Sequence, residues 1–124
     1  ELKNFSLAER EANKAIELKP DYHEALNFLG YLWVDQNRNL DKGGALIRRA
    51  LVLEPDNGAY VDSLGWYYFR KGKLKQALTE LERAIILYEN PEIYKHLGDV
   101  YSKSGDLTKA NINWQKSKEL GKNQ

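Results

Sequence analysis

A chain of 124 residues with 42% hydrophobic and 30% charged side chains, nine Gly and three Pro fits one ordinary folded domain, neither disordered nor collagen-like. Nineteen basic against eighteen acidic residues leave a net charge of +1, too even for a general nucleic-acid or membrane-surface binder, which needs a concentrated positive field. There is no cysteine for a disulfide, thiolate nucleophile or Cys-based zinc site, and no apolar run of membrane-spanning length.

The hydrophobic periodicity predicts seven helices. The first, over 5–18, carries Phe5, Leu7, Ala8, Ala12, Ala15 and Ile16, with Ser6 and Glu9 spaced as a capping box and Pro20 closing it. The second, 22–36, has Leu26, Leu29-Gly30 and Trp33 at i, i+3, i+4 and i+7, one stripe of a 3.6-residue helix. The third, 41–53, carries Gly43, Ile47 and Ala50, and Pro55 closes it as Pro20 closes the first. The fourth, 58–71, repeats the second as Val61, Leu64-Gly65 and Tyr68, and Gly72 reverses the chain. The fifth, 74–88, repeats the third as Ala77, Leu81 and Ala84. Asn90-Pro91 opens the sixth, 91–104, with Tyr94, Leu97-Gly98 and Tyr101, and Gly105 ends it. Asp106 caps the seventh, 107–120, with Ala110, Trp114 and Ser117. No segment alternates with a strand's period of two, so the fold class is all-α.

Two patterns therefore alternate. The Leu-Gly pairs recur after 35 and then 33 residues, and the small–bulky–small pattern follows each one and also stands once at the N-terminus. Small residues on both helices of a pair allow a close crossing, and the aromatic one turn later fills the gap beside it.

On these residues the chain resembles a tetratricopeptide-repeat array, whose signature is W-x2-L-G-x2-Y followed by A-x3-F and P. The resemblance covers nearly the whole chain: half a repeat at 1–20, then complete repeats at 21–55, 56–90 and 91–123. Leu26, Val61 and Tyr94 stand where the signature prefers Trp, Gly43 and Ser117 replace Ala, and Asn37-Arg38-Asn39 carries a one-residue insertion. It implies a right-handed superhelix of antiparallel helix pairs. The runs NLDKGGALIRRAL, PDNGAYVDSLGW and PEIYKHLGDVY are further similar to the C-terminal repeats of bacterial envelope adaptors, which implies a periplasmic or outer-membrane-associated setting, with a cytoplasmic one as the alternative. The lack of an initiating Met and of a signal-like start reads as a domain cut from a longer protein.

In such an array the first helices line the concave side. The stripe one residue beyond the buried one is expected to face that groove: Asn27, Tyr31 and Val34; Asp62, Trp66 and Phe69; Lys95, Asp99 and Ser102. Asp35, Arg70 and Lys103 lie at its edge, with Glu24 and Glu92 at its entrance. Trp66, Phe69 and Arg70 are residue types enriched in binding hot spots; half-buried packing between repeats is the competing reading of Trp66. Trp33 and Trp114 fall on the buried pattern and read as core. Some family members hold a C-terminal carboxylate with a Lys/Asn/Arg clamp; here Asn27 and Lys95 match, but Asp62 and Asp99 between them repel a carboxylate. The expected partner is a mixed apolar and polar peptide or a protein surface.

Chemistry is sparse. His23 and His96 are two repeats apart, which argues against a shared metal site. Ser63 is the expected neighbour of His96, yet no oxyanion-hole motif or third member accompanies them, so a helical hydrogen bond or plain exposure is expected. Arg70, Lys71, Lys73 and Lys75 cluster at a helix–helix turn, where solvation and the helix C-terminus explain them. No catalytic residue, cofactor or metal is expected. The competing functional reading is a spacer or self-association module, with a homodimer formed through the unpaired first helix.

Overall fold

The computed structural model describes residues 2–122, with side chains from Phe5 to Lys122. Among the described residues there are seven helices and no strand: α1 (Leu2–Leu18), α2 (His23–Asp35), α3 (Leu40–Leu53), α4 (Gly58–Arg70), α5 (Leu74–Leu87), α6 (Pro91–Ser104) and α7 (Leu107–Lys122). The helix starts follow local chemistry. The side chains of Asn57 and Asn90 accept from the Tyr60 and Glu92 backbone N–H groups at 3.2 and 2.9 Å, and Asp106 does the same for Lys109 at 3.1 Å. Turns reverse where Gly72 and Gly105 adopt φ of 78° and 92°. The insertion before α3 has no Gly; Asn37 and Asn39 take left-handed φ of 56° and 51° instead, which asparagine tolerates better than other side chains.

The expected capping box is corrected. Because α1 begins at Leu2, Ser6 lies inside the helix and has no free helix end to cap. Glu9 clasps α2 instead: Trp33 Nε1 donates to its carboxylate at 2.6 Å, and Arg38 pairs with the same oxygen. These donors hold the Glu9 carboxyl below its ordinary value, against a smaller opposing effect of burial. Trp33 is thus half-buried rather than core, since its ring edge reaches an acid at the surface. Trp114 is half-buried likewise, lying over Gly98 while its Nε1 donates to Asp99 at 3.0 Å.

Helices pair as α2–α3, α4–α5 and α6–α7 around the small residues. A Cβ at Gly30 would stand 2.7 Å from the Gly43 carbonyl, and one at Gly65 would stand 2.7 Å from Leu81 Cγ. The glycines are required by close approach, and in the first pair the two backbones themselves touch because Gly43 replaces the alanine found in the other pairs. Three buried clusters run along the stack, around Leu26 and Ala50, around Val34 and Ile47, and around Val61, Leu81 and Val100. Leu51 packs against all three, which makes the core continuous.

Contacts between pairs fix the curvature. The first helices touch one another, α2 with α4 and α4 with α6, whereas no second helix touches another among the described residues. The first helices therefore occupy the inner, shorter arc. Lys71 at the basic turn pairs with Asp41 at 3.0 Å, as a solvated turn cation does.

Two glycine substitutions separate turn geometry from helix propensity. Gly105→Ala forces a side chain into a left-handed turn and should lower stability by about 1 kcal/mol. Gly121→Ala lies inside α7 with open space around it and should raise stability by up to about 1 kcal/mol. Chemical denaturation of both variants checks the opposite signs.

Candidate functional site

The inner arc carries a groove of about 560 Å³ spanning all three first helices. Helix α2 supplies Glu24, Asn27, Phe28 and Tyr31; α4 supplies Tyr60, Asp62 and Ser63; the α5–α6 link and α6 supply Tyr88, Asn90 and Glu92. Phe28 and Tyr88 are 49% and 48% exposed, so two aromatic faces stand open to solvent at its walls. Of the residues expected to form the interaction surface, Asn27, Tyr31 and Asp62 line this groove. Phe69 and Arg70 line a separate pocket of about 350 Å³ with Lys103, near the C-terminal ends of the same helices. Lys95 is exposed and lies 3.9 Å from Asp99, and Asp99 is engaged by Trp114.

Trp66 and Val34 depart from the expected exposure. Val34 is fully buried in the core. Trp66 is only 5% exposed, so it offers no open face. Its indole is stacked between Phe69 at 4.7 Å and His96 at 4.0 Å, with the Arg70 guanidinium 5.2 Å from its centre and Nε1 donating to Asp35 at 3.1 Å. Arg70 also donates to the Asp35 carbonyl at 2.8 Å. The curvature of the array explains the difference: it swings α6 over the stripe of α4 that a single helix would expose.

Behind the groove floor lies a polar cluster. His96 is 1% exposed; its Nδ1 lies 2.8 Å from Asp62 Oδ1 and its Nε2 3.2 Å from Glu92 Oε1, with the Tyr31 hydroxyl 3.4 Å from the same nitrogen. Burial opposes a charge on the ring, but the hydrogen bonds to Asp62 and Glu92 outweigh it and raise the His96 pKa to about 9. The imidazolium is then the donor to both carboxylates. The His96 hydrogen bond holds Glu92 below its ordinary value, and burial together with Asp35, Glu92 and Asp62 pushes the Tyr31 phenol up.

Ser63 is not part of this cluster. Its hydroxyl donates to the Ala59 carbonyl one turn back at 3.2 Å, the helical hydrogen bond expected of it. The neighbour of His96 across the repeat is Asp62, not Ser63. The pair is 34 residues apart, one more than the 33-residue spacing of these two repeats, which is why that spacing pointed to Ser63 instead. Phe28, Tyr60 and Tyr88 are groove residues that the stripe did not include. His23 pairs with the Tyr60 hydroxyl at 2.7 Å, and no cluster of three potential metal ligands exists among the described residues. No described helix is long and apolar enough to cross a membrane.

A stack of antiparallel helix pairs with its first helices along an inner groove defines a helical-repeat protein of the solenoid class. The tetratricopeptide-repeat family model matches residues 1–59 and 63–111, and the chain belongs to that family. It is similar to the TPR repeat-containing protein PA4667 of Pseudomonas aeruginosa, 37% identical over 91 residues, which is 73% of this chain and 15% of that protein. Human tetratricopeptide repeat protein 13 is 32% identical over 78 residues, 63% of this chain and 9% of that protein. The chain thus spans well under a fifth of the length of these relatives. The fold is shared with the thermophilic TPR protein TTC0263 of Thermus thermophilus, with a TM-score of 0.84 at 21% identity over 95% of this chain and 66% of that one. MamA from Desulfovibrio magneticus superposes with a TM-score of 0.77 at 19% identity, over 99% of this chain and 70% of that one. Folds of this family serve as protein–protein interaction modules and are generally non-enzymatic scaffolds.

Proposed function

We propose that this chain binds a peptide or protein surface in the groove formed by α2, α4 and α6, as one part of a larger adaptor. The observation that carries this reading is the pair of half-exposed aromatic faces, Phe28 and Tyr88, flanking a groove that runs across three repeats. Aromatics bury much area at modest entropic cost, and here the scaffold already holds them apart at fixed positions. The test is capture from a native extract with the wild-type chain and with Phe28→Ala/Tyr88→Ala, a variant that leaves the buried stack intact. A protein retained by the first and lost by the second is the expected result; equal retention moves the site to another face. A bacterial envelope setting rests on the likeness to envelope adaptors alone, and cell fractionation of the full-length protein tests it.

Self-association is the second reading, and one observation favours it. Helix α1 packs only on α2 among the described helices, leaving Phe5 41% exposed at a pocket of about 400 Å³ that it lines with Phe28 and Leu32. Light scattering across a concentration series decides it: a constant monomer mass counts against a dimer through this face.

A further inference from the structure

The groove carries a one-sided set of polar groups. Its lining includes three carboxylates, Glu24, Asp62 and Glu92, and no Lys or Arg. The Glu24 and Glu92 side chains are 65% and 54% exposed, so both reach the mouth of the groove. The single buried cation behind the floor, His96, answers Asp62 and Glu92 but leaves Glu24 to solvent and His23. Lys95, the nearest lysine on α6, is directed at Asp99.

We propose that the groove takes an arginine side chain from a segment of a partner protein, its guanidinium donating to the exposed carboxylates of Glu24 and Glu92 and lying against the open aromatic faces. This rests on the reading of the groove as a binding surface and names the chemistry of what enters it. Three properties select guanidinium over other groups. It has five donors and no acceptor, matching the exposed carboxylates of Glu24 and Glu92. It is planar and weakly hydrated, so it stacks on rings such as Phe28 and Tyr88 in a way that a lysine ammonium does not. A carboxylate-bearing tail is repelled by the excess of three acids over one buried imidazolium. The volume of about 560 Å³ accommodates the side chain together with the flanking backbone of an extended segment. Charge also sets direction. Arg70 and Lys103 line the pocket at the opposite ends of the same helices, so acidic residues of the segment belong at that end and the arginine at the Glu24 end.

The experiment selects heptapeptides from a random displayed library on the wild-type chain, and on Phe28→Ala/Tyr88→Ala as the groove control. Peptides that bind the first and not the second are synthesised, and their affinities are measured by calorimetry. The expected result is an arginine at one fixed position among groove-dependent peptides. Its replacement by citrulline, the neutral isostere, and the variant Glu24→Gln/Glu92→Gln should each weaken binding about ten- to a hundred-fold, the range for hydrogen bonds between charged groups. Circular dichroism confirms that both variants remain helical. Groove-dependent peptides lacking arginine, or tolerating citrulline, overturn this proposal and leave the groove as the binding surface. Lysine binding as tightly as arginine at that position overturns the guanidinium assignment. No groove-dependent peptide at all overturns both readings.

Discussion

Replacing His96 with leucine should cost the fold about 3–5 kcal/mol, the largest loss expected from any single groove-side substitution. Leucine is apolar and of comparable size, so little of that loss comes from an unfilled cavity. It comes from Asp62, whose side chain is only 10% exposed and whose carboxylate would be left buried without its imidazolium partner. Trp66 would also lose the ring stacked on it at 4.0 Å. The double variant Asp62→Leu/His96→Leu removes both charges and should recover most of the loss, because an apolar pair replaces an ion pair at little net cost. Urea denaturation of the two variants and the wild type measures the difference, and equal losses in single and double variants would contradict the charge argument.

The same cluster sets a pH dependence whose sign follows from linkage. The His96 pKa rises from 6.5 to about 9 on folding, with Asp62 on α4, Glu92 on its own helix and the Tyr31 hydroxyl on α2 as the groups facing the ring. Below the unfolded value, folded and unfolded chains both carry the proton and the full contribution is present. Between that value and about 9 only the folded chain keeps it, so stability falls by roughly 3 kcal/mol as pH rises through that window. In acid a second, opposite loss begins, because the lowered carboxyl of Glu92 is held as the anion by the same ring. The wild type should therefore be most stable on the acidic side of neutrality. His96→Leu should lose the alkaline slope, and denaturation midpoints across the range check this.

Why the helices were readable and the floor of the groove was not is a matter of range. Leu26, Leu29-Gly30 and Trp33 encode a helix and its buried face within adjacent turns, and the expected 22–36 became His23–Asp35. The glycines encode the partner as well, since Gly30, Gly65 and Gly98 each meet the facing residue of the next helix. Trp66 fails that logic. One residue beyond the buried stripe points it inward, but whether an inward residue is open depends on the turn between repeats, which brings the His96 ring over the indole. Glu9 fails for the same reason: Ser6 and Glu9 satisfy a local capping rule, and Trp33 and Arg38, far along the chain, supply stronger donors. What crosses from one repeat to the next was not legible in this way: the 33-residue spacing of these repeats pointed His96 at Ser63, and its partner is Asp62, one position earlier.

Gly30→Ala is expected to lower stability by about 1–3 kcal/mol even though alanine favours a helix by about 1 kcal/mol over glycine. The added Cβ would stand 2.7 Å from the Gly43 carbonyl oxygen and 2.8 Å from Cγ1 of Ile47, which is fully buried. Neither a backbone carbonyl nor a closely packed isoleucine can step aside, so α2 and α3 must separate and lose contact along their length. Gly98→Ala meets a nominally worse clash, with the Trp114 ring, yet should cost less. Trp114 is half-buried and can swing outward, surrendering its hydrogen bond to Asp99 without moving a helix. The location of the damage is as informative as its size. In a stack whose units touch only their neighbours, loosening the α2–α3 crossing should also free α1, which rests on α2 alone among the described helices, while α6 and α7 are unaffected. Hydrogen exchange should therefore accelerate over α1 to α3 and stay unchanged over α6 and α7. Uniform acceleration would mean instead that Leu51 couples all three clusters so tightly that the array opens as one unit.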